Sequence, residues 1–283
     1  MRNFRKVFNL DMEYRFSNFS IALPADHRLP TYQRAHRLYD KFLPHLCKHL
    51  EAGSTVVDVG ANCGDTVAAM YDANPELSYI CIEPDEEFFA FLQRNVLRIT
   101  ERNAHASIQT VKVLIGKTIT GVTLRGSGGT KKATVGAVGH ALSSKSLDQV
   151  LAEARISDVR VLKSDVDGFD YDVIQSAEGI ISRSMPIIYF ECQFDHPFQK
   201  TEYEKLMAML HSKGYVNWLV FDNFGNVLLR ADNIQLVCQL FEYVWRQNTQ
   251  QATRTIYYYD ILATSSKDSE WTTKVLQSYI GSA

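Results

Sequence analysis

Two kinds of apolar pattern alternate along the chain. Short continuous runs, such as Val56-Val57-Asp58-Val59 and Tyr79-Ile80-Cys81-Ile82, read as strands buried on both faces. Between them, apolar residues recur at three- and four-residue steps, as Phe88, Phe89, Leu92 and Val96 do, and read as amphipathic helices. In chain order the pattern predicts a short strand within 16–23 closed by Pro24. A helical region over 31–50 follows, with Tyr32, His36, Tyr39 and Phe42 on one face and a split at Pro44. Next come a strand from Thr55, a helix over 67–74, a strand over 78–82, a helix over 85–100 and a strand over 108–115. Ser146-Leu147-Asp148-Gln149 is a capping box that opens a further helix. Strands over 159–164, 186–191, 215–221 and 256–264 then alternate with helices over 171–177 and 201–213. Trp271, Val275, Leu276 and Tyr279 recur at helical spacing, as core packing or the face of a homodimer requires. This alternation predicts an α/β protein with a doubly wound, mostly parallel sheet that binds ligands at its carboxyl edge.

One segment breaks the alternation. From Lys117 to Lys145 glycine, serine, threonine and lysine dominate, and Ser127-Gly128-Gly129 reads as a hairpin tip on an excursion over the ligand edge. Its basic residues (Lys117, Arg125, Lys131, Lys132, Lys145) suit either a solvated hairpin or an anionic acceptor.

Composition mainly excludes. Lys+Arg 30 against Asp+Glu 32 leaves a net charge of −2, so no global field favours nucleic acid or an anionic membrane. No apolar run approaches the roughly 18 residues of a membrane span. The basic start, Met1 to Lys6, has no apolar region behind it, so no secretory signal is expected. Five scattered cysteines without a Cys-x-x-Cys pair indicate reduced thiols in a cytoplasmic protein.

The chemistry concentrates at two strand ends. Asp58-Val59-Gly60-Ala61-Asn62-Cys63-Gly64-Asp65-Thr66 runs from a strand through a glycine-hinged loop into a helix. It lacks the three close glycines of a pyrophosphate cradle, and Asp65 at the helix start would repel a phosphate. S-adenosylmethionine (SAM) has no phosphate and carries an ammonium and a sulfonium. Glu83, at the end of the next strand and followed by Pro84 and Asp85, suits two vicinal ribose hydroxyls. The second place is Asp165-Val166-Asp167-Gly168. It is not a calcium loop, which needs glycine at its sixth position and glutamate at its twelfth. Asp165 is the first candidate for a general base, with His196 and His27 next. Lys163, inside the strand before it, requires a carboxylate partner such as Asp165 or Glu191. Asp165, Glu191 and His196 either line a substrate cleft or hold a divalent ion; their spacing matches no known ligand set, so metal-free chemistry is expected.

Three blocks in order, "VVDVGANCGDT", "CIEPDEEFFAFLQRNV" and "SLDQVL" followed by "VRVLKSDVDGFDYDVIQSA", with a late "IYYYDILATS", resemble the FkbM-type methyltransferases, class I SAM-dependent enzymes. The likeness runs over 55–264. It implies a Rossmann-like seven-stranded sheet with one antiparallel edge strand. It also implies that Asp58, Gly60, Asn62 and Gly64, with Ala61, Asp65 and Thr66 beside them, surround the methionine part of SAM, while Glu83 holds the ribose. The implied activity is O-methylation of a sugar, nucleotide-sugar or glycan acceptor, as in polysaccharide or natural-product biosynthesis. Residues 23–40 are similar to the lead-in of polysaccharide-cluster members, so 1–50 is expected to cover the cofactor and substrate edge and 51–283 to form the methyltransferase domain. The chain departs from the family at Asp167 and Asp170, where glutamates are more usual, and at Leu114-Ile115-Gly116, which offers adenine no polar side chain. An NAD-type oxidoreductase and a non-catalytic SAM- or nucleotide-binding module stay open as alternatives. A nucleic-acid methyltransferase is disfavoured: no basic stripe, no Asn/Asp-Pro-Pro-Tyr motif and no Pro-Cys nucleophile occur.

Overall fold

The computed structural model of the protein describes residues 11–101, 103, 105–117, 122–126, 131–135, 143–250 and 253–282. It divides into two compact units. Met1–Ile115 with Ile119–Ser144 makes one, and Gly116–Thr118 with Lys145–Ala283 makes the other.

In the first unit, β1 (Met12–Arg15) and β2 (Ser20–Leu23) pair antiparallel. The helical lead-in forms α1 (Leu29–Ala35) and α2 (Phe42–Lys48). Their break falls at 36–41, where Asp40 takes a positive φ of 55°, and not at Pro44. Pro44 sits in the first turn of α2, where a backbone N–H has no intrahelical partner to lose. Strands β3 (Thr55–Val59), β4 (Ser78–Ile82) and β5 (Ser107–Val111) are parallel and adjacent in that order. α3 (Asp65–Ala73) connects β3 to β4, and α4 (Glu86–Thr100) connects β4 to β5. α4 buries Phe88, Leu92, Asn95, Val96 and Ile99 as one stripe. The strand expected over 108–115 is divided, because β6 (Leu114–Ile115) is a separate short strand. The 117–145 excursion contains an antiparallel pair, β7 (Val122–Gly126) and β8 (Lys131–Val135), with Val122 opposite Val135. The tip expected at Ser127-Gly128-Gly129 lies outside the described residues.

β9 (Ser144–Lys145) precedes the second unit's first helix, α5 (Leu147–Glu153). The capping box forms: Gln149 N donates to Ser146 Oγ at 3.2 Å, and Ser146 N donates to Gln149 Oε1 at 3.1 Å. Next come β10 (Val161–Ser164), α6 (Asp170–Gln175), α7 (Glu178–Ser184), β11 (Ile187–Gln193), α8 (Pro197–Ser212) and β12 (Tyr215–Asp222). The chain ends with β13 (Val227–Ala231), α9 (Ile234–Gln250), β14 (Tyr258–Ser265) and α10 (Ser269–Ser282). Within this unit the strand order is β13-β12-β14-β11-β10. β10 and β11 are parallel, whereas β14 is antiparallel to both of its neighbours.

The first unit's strands β3, β4 and β5 are thus all parallel, and the second unit's five form a mixed row. Its β13 folds back on β12 through a turn at 222–226. There Asp222 Oδ1 accepts from Phe224 N and Asn226 N, each at 2.9 Å, and Gly225 takes a φ of 85°. β13, antiparallel to β12, is an edge strand as expected, and a second antiparallel strand, β14, lies inside the row. Trp218, Tyr203, Tyr259, Phe194 and Phe241 form the bulk of the core here. Val275, Leu276 and Tyr279 of α10 are buried, with Tyr279 edge-on to Phe221 at 6.3 Å. Among the described residues no helix is long and apolar enough to cross a membrane.

Candidate functional site

The residues singled out from the sequence fall into two groups, one in each unit. In the first unit β3 ends at Val59 and the chain turns sharply, with Gly60 at φ 77° and Asn62 at φ 49°. Gly60 N and Ala61 N both donate to Ile82 O, at 2.9 and 3.0 Å, which ties the loop to the end of β4. Gly64 caps α3 at φ 83°; a Cβ there would come within 2.9 Å of Leu92 Cδ1, so the loop lies directly against α4. Asp65 and Thr66 open α3 and are half-buried. Glu83 is buried at the end of β4, where Oε2 accepts from Asn62 N and Oε1 from Asp85 N, each at 2.9 Å. One carboxylate thus orders both the glycine loop and the turn through Pro84. Asp85 is the N-cap of α4, accepting from Glu87 N and Phe88 N at 3.1 Å. Asp58 is fully buried at the penultimate position of β3. His27 joins this group: it is buried, its Nδ1 accepts from Leu29 N at 3.3 Å, and its Nε2 stands 4.0 Å from Asp65 Oδ2. Burial, then the charges of Asp65, Glu83 and Glu87, push the Cys63 thiol well above its usual range, so it is no nucleophile.

The second group surrounds the end of β10. Lys163 is buried, with Nζ 3.7 Å from Asp165 Oδ2, while the Asp165 side chain is 51% exposed. Asp167 and Gly168 take φ 54° and 91°, which turns the chain back into α6. Asp170, fully buried, accepts from Ser164 Oγ at 2.6 Å, Val166 N at 3.2 Å and Tyr203 OH at 3.2 Å. Burial, and next the charge of Asp165, push its carboxyl up to about 7. Glu191, near the end of β11, is pushed well above the carboxylate range by burial first, then by Asp165, Asp167, Asp170 and Asp260. Of these acids Asp165 is the one open to solvent beside a cation. His196 stands instead at the N-cap of α8, exposed and stacked on Phe198 with ring centroids 5.7 Å apart. Among the described residues no group of three or more His, Cys, Asp and Glu could hold a metal ion.

Sequence reasoning missed the side chains that hold these loops. Asn95 Nδ2 donates to Cys63 O at 2.7 Å and to Ala22 O at 2.8 Å, and its Oδ1 accepts from Ala22 N at 2.8 Å. Its signal was a polar residue on the apolar stripe of α4. Gln199 was legible only as a glutamine three residues after a helix N-cap. Tyr203 looks like one more aromatic of a helix, yet its hydroxyl shares one proton between Asp170 Oδ2 at 3.2 Å and Glu191 O at 3.0 Å.

The donor set of the first group fits SAM. Asp58, Asp65 and Glu83 are acids, and no Lys or Arg occurs in 58–66 or 83–85. A cationic ligand with a diol meets complementary groups there, whereas a pyrophosphate would meet the negative charge of all three acids. Among solved structures the chain is similar to methyltransferase FkbM from Methylobacillus flagellatus KT, at 15% identity and a TM-score of 0.38, over 58% of this chain and 48% of that one. It therefore spans about half the length of that protein. It is also similar to the SAM-dependent methyltransferase from Agrobacterium tumefaciens, at 8% identity and a TM-score of 0.46, over 90% and 70% of the two chains. A third is the plantazolicin methyltransferase BpumL in complex with SAH, at 10% identity and a TM-score of 0.41, over 84% and 88%. No curated protein matches the chain. The methyltransferase FkbM domain model matches residues 58–216, more than half of the sequence, so the chain belongs to the FkbM family of SAM-dependent methyltransferases and SAM is its cofactor.

Proposed function

We propose that this protein transfers a methyl group to a hydroxyl of a sugar, nucleotide-sugar or glycan acceptor. The observation that carries the reading is the Lys163–Asp165 pair, an exposed carboxylate 3.7 Å from a buried ammonium at the carboxyl end of a parallel strand. A sugar hydroxyl is a weak acid and must shed its proton as the new C–O bond forms. SAM, when bound, supplies a methyl made electrophilic by its sulfonium. Asp165 accepts the hydroxyl proton, and Lys163 fixes the orientation of its carboxylate. Glu83 takes the ribose hydroxyls, while Asp58 and Asp65 complement the positive charge of the cofactor beside Gly60 and Gly64. His196 and His27 rank behind Asp165 as bases. Five free cysteines, four of them buried, support a reducing, cytoplasmic setting.

The test is Asp165→Asn, which keeps the shape and removes the charge. With a panel of sugars, nucleotide-sugars and glycans as acceptors, kcat for SAH release should fall roughly 10²–10⁴-fold. SAH affinity by calorimetry should stay at the parent value. Near-normal turnover in this variant would remove Asp165 as the base.

A further inference from the structure

One buried amide spans the two turns of the second unit that carry candidate catalytic groups. Gln199 is 1% exposed. Its Oε1 accepts from Asp195 N at 2.7 Å and from His196 N at 2.8 Å. Its Nε2 donates to Gly168 O at 2.9 Å. The amide orientation follows from the partners, since flipping it would set donors against donors and an oxygen against a carbonyl. We infer that Gln199 is a positioning residue for methyl transfer, clamping the Asp165–Gly168 turn to the Asp195–His196 turn. The inference rests on the reading of Asp165 as the base.

Two observations separate the clamp from ordinary helix capping. A glutamine at the third helical position needs only its oxygen to cap, as Oε1 does here. The Nε2 bond reaches 31 residues back, to a turn that follows a different strand. That turn is also built for it. Gly168 holds φ 91°, and a Cβ on it would sit 2.8 Å from Gln199 Nε2 and 3.1 Å from Gln193 O. Only glycine can bring its carbonyl this close to the amide, and Asp167 just before it accepts a left-handed φ as well. Asp170 grips the other side of the same turn through Ser164 and Val166. Asp165 is therefore carried by a segment pinned at both ends.

Replacing Gln199 by glutamate splits the two halves of the clamp by protonation. A carboxylate still accepts from Asp195 N and His196 N, so the cap survives at every pH. It also turns an anionic oxygen toward Gly168 O. Only the protonated acid restores the donor. The ionisable groups around position 199 include Asp167 and Asp170 on the turn, Asp195 and His196 ahead of the helix, Lys200 paired with Glu242 of α9, and Tyr203 against Glu191 of β11. The parent's own turnover can vary with pH, so the quantity read is the ratio of variant to parent kcat at each pH. At pH 8 that ratio should fall roughly ten- to a hundredfold, the size of one lost and opposed hydrogen bond. It should climb back toward unity as pH drops to 6. SAH affinity should not change, and thermal unfolding at each pH reports whether the variant is folded. Gln199→Ala, which lacks both halves, should show a kcat loss that no pH restores. A Gln199→Glu ratio independent of pH would overturn the inference, as would a Gln199→Ala variant that loses melting temperature but no turnover. Should Asp165→Asn stay active while the glutamate variant shows its pH rescue, the clamp stands and the group it positions is another residue of the turn.

Discussion

The loop after β3 and the turn after β10 are both short, acidic and glycine-bearing, yet they are held in different ways. The first is tied through its own backbone groups: Gly60 N and Ala61 N reach Ile82 O, Asn62 N reaches the Glu83 carboxylate, and Cys63 O accepts from Asn95. The second is held by buried side chains, with Asp170 just beyond it and Gln199 from 31 positions on gripping it from two sides. A loop shaped by its backbone fails when an atom is added to it. A turn shaped by buried side chains fails when their hydrogen-bonding state changes.

The largest expected effect tests the first half of that contrast. Gly60→Val puts a β-branched side chain at φ 77°, a conformation that costs such a residue on the order of 1–3 kcal/mol before any clash. It should abolish SAH binding in calorimetry while circular dichroism still reports a folded chain. Binding at the parent affinity would mean that the loop tolerates what its backbone shape forbids.

The second half is tested by pH. The carboxyl of Asp170 is raised from 3.8 to about 7 in the folded protein, so between those values the native state holds a proton that the unfolded chain has lost. Stability from this group is complete below about pH 4 and declines as pH rises toward 7, by on the order of 1 kcal/mol per unit at most. Asp170→Asn keeps an acceptor for Ser164 and Val166, turns its NH2 toward the Tyr203 hydroxyl and removes the titration. Urea unfolding across that window should show a flatter pH dependence in the variant; identical slopes would show that Asp170 does not titrate there.

Glu83→Ala should act more modestly and bridge the two cases, because Glu83 is a side chain that orders a backbone loop. It should weaken SAH binding by about 1.5–3 kcal/mol, the loss of hydrogen bonds to a charged group. A much larger loss would mean that the loop collapses without its carboxylate.

The same contrast explains what could be read from the chain in advance. The parallel strands β3, β4 and β10, the capping box at Ser146 and the glycine loop all rest on local rules of periodicity, capping and permitted φ, which leave marks within a few residues. The break before α2 was misplaced because Pro44 is as compatible with the start of a helix as with its end. β13 went unseen because Val227, Leu228 and Leu229 are too few to outweigh the polar residues around them. α9 went unseen because only Val237, Phe241 and Val244 of its 17 residues are buried. Asn95, Gln199 and Tyr203 act on residues far along the chain, and no local pattern encodes a partner 31 or 73 positions away.

The position of β14 bears on how the second unit is made. It is the last strand in chain order, yet it sits between β11 and β12. Until residue 265 has emerged from the ribosome, β11 and β12 each present an open, apolar edge where a neighbour belongs. Unpaired edges of this kind recruit other chains. Synthesis of the unit therefore closes with the insertion of a central slat, and a pause or truncation before that point exposes the nascent chain to misassembly.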